Sequence, residues 1–409
     1  MTHNLPNDST LAGLPPTGLP PTGLLPAGLV DVLPPEAERE ATLVEAMLTV
    51  FALHGYERVK PPLLEFEESL LAGSGAAVSE QTFRLMDPVS QRMMGLRADT
   101  TPQVARIAAS RLSRQQRPLR LCYAGQVLRV RGTQLAPSRQ LPQAGVELIG
   151  SDSAAADAEV AVVAVRALAA IGVHGVSLDI TLPTLAPALF EEANLNTGLR
   201  QRLGRALDRK DAAAVALLSA EAGPLAAALP PLLQAAGPAE GALAALRAAT
   251  LPPVAQAIAD NAAAVIAAIR ALAPDLRITL DPVEFRGLRY HVGVAFTLYG
   301  AGGAGELARG GRYLAGEEPA TGMTLYPDAV LRAAPPMPER PRIFVPAAEA
   351  GAASALREQG FATVAALSSA DTAAGLRCTH VLSNGAVVPV VPTNQQAAAA
   401  DPSPPGNKD

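Results

Sequence analysis

The sequence predicts an α+β fold: an antiparallel sheet with flanking helices, a helical insertion and a small C-terminal α/β module. Three observations carry this. Two alternating apolar runs, within 119–131 and 140–150, follow one another across the polar loop GTQLAPSR, as the strands of a hairpin do. Residues 185–275 are almost wholly Ala/Leu-rich at helical spacing, with breaks at Gly and Pro. Strand-like segments then resume with LRITLDPVEF, LRYHVGVAFTLYG and ELARGGRYLAG, so the helical block reads as an insertion in a sheet.

Taken in order, residues 9–29 repeat a Leu-Pro-Pro-Thr-Gly unit. Its prolines fix φ and its glycines add chain entropy, so 1–27 is expected to be a flexible arm. The segment PPEAEREATLVEAMLTVFALHG has Pro and acids at its start and ends at Gly55, an amphipathic helix running into a strand, YERVKPPLLEFEESLLAG, that opens the sheet. Residues 82–150 read as strand, turn, strand, a helix with Pro102 near its start, then the hairpin. DAEVAVVAVRALAAIG is a strong helix and GVSLDITLP a strand; GMTLYPDAVLRAA is a strand edge leading into a helix. A Pro-rich linker at 334–341 separates a domain over 28–333 from a β-α-β-type module at 342–392, and 393–409 reads as a disordered tail.

Composition narrows the function. The 33 Lys+Arg against 38 Asp+Glu leave a charge of −5, and no dense basic cluster stands out as a nucleic-acid footprint. Cys122 and Cys378 lie far apart without metal spacing, and the five histidines show no paired motif, so no metal site is assigned. No run of 18 apolar residues and no signal peptide occur, from which a cytoplasmic location is expected. The stretch GAGGAG at 300–305 matches a dinucleotide fingerprint only in form, because a strand follows it where a helix should open; a hairpin turn explains it.

Side chains two apart on a strand share a face, so Tyr123, Gly125, Val127, Arg129 and Arg131 line one side of the first hairpin strand. Gln143, Gly145 and Glu147 line one side of the second. If these faces coincide, Arg, Gln and Glu converge on a floor suited to a small ligand with an amine and a carboxylate; the alternative is a solvated outer face with scattered ion pairs. RGLRYH and ARGGRY add Arg286, Arg309, Arg312, Tyr290 and Tyr313, and buried arginine needs an anion, either Glu147 or Asp99 or a ligand. Asp99 and Thr101 precede a helix, where both are natural N-cap residues.

Over about residues 28–333 these segments together resemble the catalytic domain of the histidyl-tRNA synthetase family, a class II aminoacyl-tRNA synthetase fold. The resemblance rests on GLVDVLP, LRADTTPQVAR, YAGQVLR, QAGVELIG, RGLRYH and GGRY, in the family's order. It implies a histidine pocket of Asp99, Thr101, Arg129, Gln143, Glu147, Arg286 and Tyr290. Departures fall on His291, Arg289, Leu314 and the shorter Asp99, and most sharply on the ATP contacts. Arg129-Val130-Arg131-Gly132 stands where the family has Arg-x-Glu-Arg, Leu141-Pro142-Gln143 where it has Phe-x-Gln, and Tyr326-Pro327-Asp328-Ala329 where it has Gly-x-Glu-Arg.

Adenylation depends on positioned charge, so these losses imply that synthetase activity is absent. The C-terminal end is also too short for an anticodon-binding domain, so no tRNA partner is expected. A kept histidine pocket, a lost ATP site and a short end are similar to the regulatory subunits of ATP phosphoribosyltransferase. That resemblance implies a non-catalytic subunit without cofactor or membrane. Its partner would be a short-form catalytic subunit in the first step of histidine biosynthesis, with histidine as effector and a homodimer inside a hetero-oligomer. Competing readings are an active or repurposed histidyl-tRNA-synthetase-type ligase and a standalone histidine sensor.

Overall fold

The computed structural model describes residues 23–132, 137–284, 290–338 and 340–390. The Leu-Pro-Pro-Thr-Gly arm up to residue 22, the tail from 391 and Arg286 lie outside them. The chain divides into two compact units, Met1–Pro335 and Pro336–Asp409.

The first unit opens with α1 (Glu36–Leu53), whose Leu43, Met47, Leu48 and Phe51 are buried while Glu36 and Glu38 occupy its first turn. The expected continuous strand after it is broken. Pro61 and Pro62 cannot supply ladder donors, so the chain forms a two-residue strand β1 (Glu57–Arg58), then β2 (Leu64–Phe66) and a short helix α2 (Glu67–Leu70). Strands β3 (Arg84–Met86) and β4 (Met93–Leu96) follow, and β2-β4-β3 is a separate small sheet. Helix α3 (Thr101–Ser110) precedes the hairpin of β5 (Leu119–Leu128) and β6 (Gln140–Ile149). Before the hairpin tip, Ala27 and Gly28 are tied to its base: their carbonyls accept from Arg139, at 3.2 and 2.8 Å.

Helix α4 (Ala154–Ala170) and β7 (Ser177–Thr181) lead into the helical block. That block comprises α5 (Leu185–Glu192), α6 (Thr197–Asp208), α7 (Ala212–Ala222), α8 (Leu229–Gln234), a two-residue strand β8 (Gly237–Pro238), α9 (Ala239–Ala248) and α10 (Pro253–Leu272). It is a crossover, because β9 (Arg277–Asp281) returns parallel to β7. Residues 200–210 carry Arg200, Arg202, Arg205, Arg209 and Lys210, a denser basic run than the overall balance suggests. Ion pairs to Glu191, Glu221 and Asp281 hold three of these five cations in place. Helix α10 is long and apolar enough to cross a membrane; it buries one face, Ala255 through Ile269, against the same core as α4.

Strands β10 (Ala295–Tyr299), β11 (Glu306–Ala315) and β12 (Glu318–Leu325) and helix α11 (Pro327–Ala333) complete the unit. The nine-stranded sheet runs β1-β5-β6-β12-β11-β10-β7-β9-β8. Its central pairs are antiparallel, and β12 lies in the middle, between β6 and β11, rather than at an edge. Two further corrections concern strand ends: β9 stops at Asp281, before Pro282, and β10 begins only at Ala295. GAGGAG is the β10–β11 turn, with Gly300 N donating to Gly305 O at 3.0 Å and positive φ at three of its glycines, which side chains seldom adopt. Helices α1, α4 and α10 cover one face of the sheet, and the site lies on the other.

The second unit holds a four-stranded sheet, β14-β13-β15-β16, from β13 (Arg342–Val345), β14 (Ala362–Ala365), β15 (His380–Ser383) and β16 (Ala386–Pro389). Helix α12 (Ala353–Glu358) makes the crossover between the parallel pair β13 and β14, over a core of Ile343, Val345, Ala353, Leu356 and Leu382.

Candidate functional site

The register of the central hairpin decides whether its polar face is one floor. Leu121 pairs with Glu147, Tyr123 with Gly145 and Gly125 with Gln143, so the two polar rows share one face. That face is buried: Glu147 is 0% and Gln143 3% exposed, which rules out a solvated outer surface. Glycine makes the room. A Cβ on Gly125 would meet the Arg97 guanidinium at 2.5 Å, and one on Gly145 would meet the Tyr123 hydroxyl at 2.5 Å.

Helix α3 aims its first residues at this floor. Thr100, not Asp99 or Thr101, occupies the N-cap position, and no side chain caps the helix. The hydroxyls turn instead to the sheet: Thr100 donates from Oγ1 (2.9 Å) and N (3.1 Å) to Gln143 Oε1, and Thr101 Oγ1 donates to Glu147 Oε1 at 2.8 Å. Asp99 Oδ1 accepts from Thr101 N and Gln143 Nε2, both at 3.3 Å. Tyr313 of β11 donates to Glu147 Oε2 at 2.9 Å, and the Tyr123 hydroxyl lies 2.7 Å from Thr324 Oγ1.

Burial in this hydroxyl-lined space pushes the Glu147 carboxyl up to about 8, despite the hydrogen bonds from Thr101 and Tyr313 that favour its ionised form. Burial likewise raises Tyr123 and Tyr313. His291 is pushed down to about 3, first by burial and then by Arg309, so it is a neutral imidazole, and its Nδ1 has no partner. It stands against Tyr290, with ring centroids 4.3 Å apart, and Tyr290 meets Tyr313 edge-on at 6.5 Å. Thr101, Glu147, Tyr290, His291, Arg309, Tyr313 and the backbone of Gly310, Gly311 and Gly322 enclose about 200 Å³ of unfilled space, most of it too narrow for a water.

Of the residues expected to form the site, Asp99, Thr101, Gln143 and Glu147 form one hydrogen-bonded group, and Tyr290 lines the same cavity. Arg129 stands at its margin, with Nε 3.5 Å from the Ala98 carbonyl, and Arg286 lies outside the described residues. The expected partner of the buried arginines is corrected. Arg312 pairs with Asp157 of α4 at 2.7 Å, and Arg309 with Glu306 at 2.5 Å; neither Asp99 nor Glu147 takes that part. Asp157 sat unnoticed in the sequence because an acid near the start of an Ala/Val helix looks like an exposed position. Thr100, Thr324 and Arg97 were also missed: none gives a signal in the sequence beyond its place in LRADTTPQ or GMTLYPDAVLRAA.

Three of the positions that depart from the synthetase motifs lie on the same hairpin. Arg131 is exposed beyond the end of β5, Leu141 pairs with Val127, and Pro142 pairs with Gln126. Tyr326 is the N-cap of α11 and Pro327 its first residue, and Asp328 forms an exposed pair with Arg332.

A family model described as histidyl-tRNA synthetase matches residues 28–330. A curated relative from Paramagnetospirillum magneticum, an ATP phosphoribosyltransferase regulatory subunit, is 55% identical over 82% of this chain and 89% of its own length. The chain belongs to the ATP phosphoribosyltransferase regulatory subunit family. The fold agrees. An ATP phosphoribosyltransferase regulatory subunit/histidyl-tRNA synthetase from Bacillus halodurans superposes with a TM-score of 0.76 at 24% identity, covering 88% of this chain and 97% of that one. The HisG:HisZ complex of ATP phosphoribosyl transferase from Thermotoga maritima contains a chain with a TM-score of 0.56 at 17% identity, covering 70% and 97%. The chain shares the class II synthetase-like fold of these structures, and its polar group of Asp99, Gln143 and Glu147, the last two buried, lies on one face of that sheet.

Proposed function

We propose that this regulatory subunit binds a short ATP phosphoribosyltransferase catalytic subunit and is required for its activity in the first step of histidine biosynthesis. It has no catalytic site of its own, and its pocket takes free histidine as the effector. The observation that carries the reading is the contrast within one hairpin: Gln143 and Glu147 are buried and hydrogen-bonded, whereas Arg131, Leu141 and Pro142 offer a nucleotide neither an acid nor an aromatic ring. The Thermotoga complex supports a catalytic-subunit partner. Asp99, Thr101, Gln143, Glu147 and Tyr290 would hold histidine, with Arg129 and Arg286 as further members of the set. The subunit is cytoplasmic, and it forms a homodimer within the larger assembly.

The deciding experiment is the rate of the catalytic subunit with and without this chain, over a histidine titration. An increase in rate that histidine reverses is expected, and an unchanged rate would sink the reading. Coupling requires histidine to bind the active and inactive complexes with different affinity, which the same titration reads as a shift in its midpoint. Histidine-dependent ATP–pyrophosphate exchange by the chain alone should stay at background; measurable exchange would favour a ligase instead.

A further inference from the structure

The helical insertion carries a surface that the pocket does not use. Helix α7 is apolar on nearly every side, with Ser219 and Glu221 its only polar residues. Its inner face buries Val215, Leu218 and Ser219, while Ala212, Ala213, Ala216, Leu217 and Ala220 are exposed, Leu217 to 71%. Those five positions follow one another as a single stripe along the helix. The solvent face of a helix packed on a core is ordinarily polar, so an apolar stripe there marks a contact surface.

Helix α6 supplies a cationic rim to it. Arg202, Arg205 and Ala206 of α6 and Arg209 at its C-cap stand at i, i+3, i+4 and i+7, and with Ala214 and Leu217 of α7 they line an open groove of about 350 Å³, room for a few inserted side chains. Arg202 is committed to Glu221 at 3.1 Å, and Lys210 ties the end of α6 to Asp281 of β9, which gives the ledge a fixed support. Asp211, at the end of the groove, caps α7 by accepting from Ala214 N at 3.0 Å. Arg205 and Arg209 are both exposed, and neither has an acidic partner among the described residues; Arg205 Nε donates to the Gln201 carbonyl at 3.2 Å.

Two uncompensated cations beside an apolar stripe fit a partner that carries carboxylates next to apolar side chains. The alanines let a second helix approach closely, and Leu217 is the one large knob for it to grip. Nucleic acid fits less well: the stripe offers no ring on which a base could stack, and Asp211 and Glu221 stand at its two ends. We infer that the α6–α7 ledge docks an acidic amphipathic helix of the catalytic subunit, with the helix's apolar stripe on α7 and its carboxylates on Arg205 and Arg209. This rests on the reading that the chain binds such a subunit, and adds the surface that receives it.

Sedimentation velocity of the full-length chain with the short catalytic subunit measures the contact. We expect Leu217→Asp and the double variant Arg205→Glu/Arg209→Glu each to weaken the complex at least about tenfold. The double variant should also lose most of the salt dependence that wild type shows between about 50 and about 300 mM salt. All three side chains are exposed, so both variants should unfold at the temperature of wild type, and Arg332→Glu, on α11, should bind within about twofold of it. Wild type that binds, together with variants that bind equally well, overturns this proposal and leaves the partner reading standing. Loss in one variant alone overturns it too, because the apolar and acidic demands belong to one occupant. Retention of bulk tRNA on a filter that Arg205→Glu/Arg209→Glu abolishes, while the catalytic subunit stays bound, overturns it in favour of RNA. Wild type that does not associate at all overturns the partner reading together with this one.

Discussion

Gly322 of β12 has no side chain because the Glu147 carboxyl occupies the place of one: a Cβ there would fall inside the van der Waals radius of Oε2. Gly322→Ala should therefore move Glu147 off Thr101 and Tyr313, weakening histidine binding at least tenfold in calorimetry and costing about 1–3 kcal/mol in thermal unfolding. Glu147 also sets a pH dependence of the empty protein. Its folded-state value, about 8, lies above the ordinary 4.5, so between those limits the folded state holds a proton that the unfolded chain has lost. Stability contributed below about pH 4.5 is then lost as pH rises toward 8, by up to about 1.4 kcal/mol per pH unit. Urea midpoints of wild type and Glu147→Gln should diverge across this window, with the variant flatter. At this scale the sequence was informative where spacing alone sets a face. Gln143 and Glu147 had to share a side of β6, but which cation met which acid depended on α4 lying across β11 and β12, and no local pattern shows that.

At the level of elements, α4 is tied to the sheet by a buried polar pin, besides the half-exposed Glu159–Arg120 pair to β5. Asp157, 0% exposed, accepts from Arg312 of β11 and from Thr321 of β12 at 2.5 Å, while Arg312 also donates to the Ser153 carbonyl. Burial alone raises the Asp157 carboxyl, and Arg312 opposes that shift, as expected where an ion pair repays only part of its desolvation. Asp157→Ala strands the guanidinium and should cost about 3–5 kcal/mol in urea unfolding, whereas an exposed pair such as Arg332–Asp328 should cost under about 1 kcal/mol. The long helices α1, α4 and α10 and the β5–β6 hairpin were legible because periodicity over many residues outweighs local propensity. The segment after α1 was not. Its apolar residues alternate well enough for one strand, yet the Pro61-Pro62 pair divides it between two sheets.

For the whole molecule, the pocket is built entirely from the first unit, and every side chain of the Asp99–Gln143–Glu147 group comes from residues before Pro335. A chain ending at Pro335 should accordingly fold and bind histidine within about twofold of the full-length affinity, as calorimetry and circular dichroism would show; a larger loss would assign the second unit a part in the pocket. The class II sheet was readable from ordered short motifs, each weak alone. The crossover role of residues 185–275 emerged only from the pairing of β7 with β9. Pro142 carries a consequence for what the sheet tolerates. It lies in β6 just beyond Ala144, the last residue that β12 pairs, so its missing N–H leaves no gap in the central ladder. A proline at this place is therefore cheap for folding. The two ends of the hairpin thus differ in what they tolerate: the loop end can carry a residue without an N–H, while the pocket end is held by hydrogen bonds.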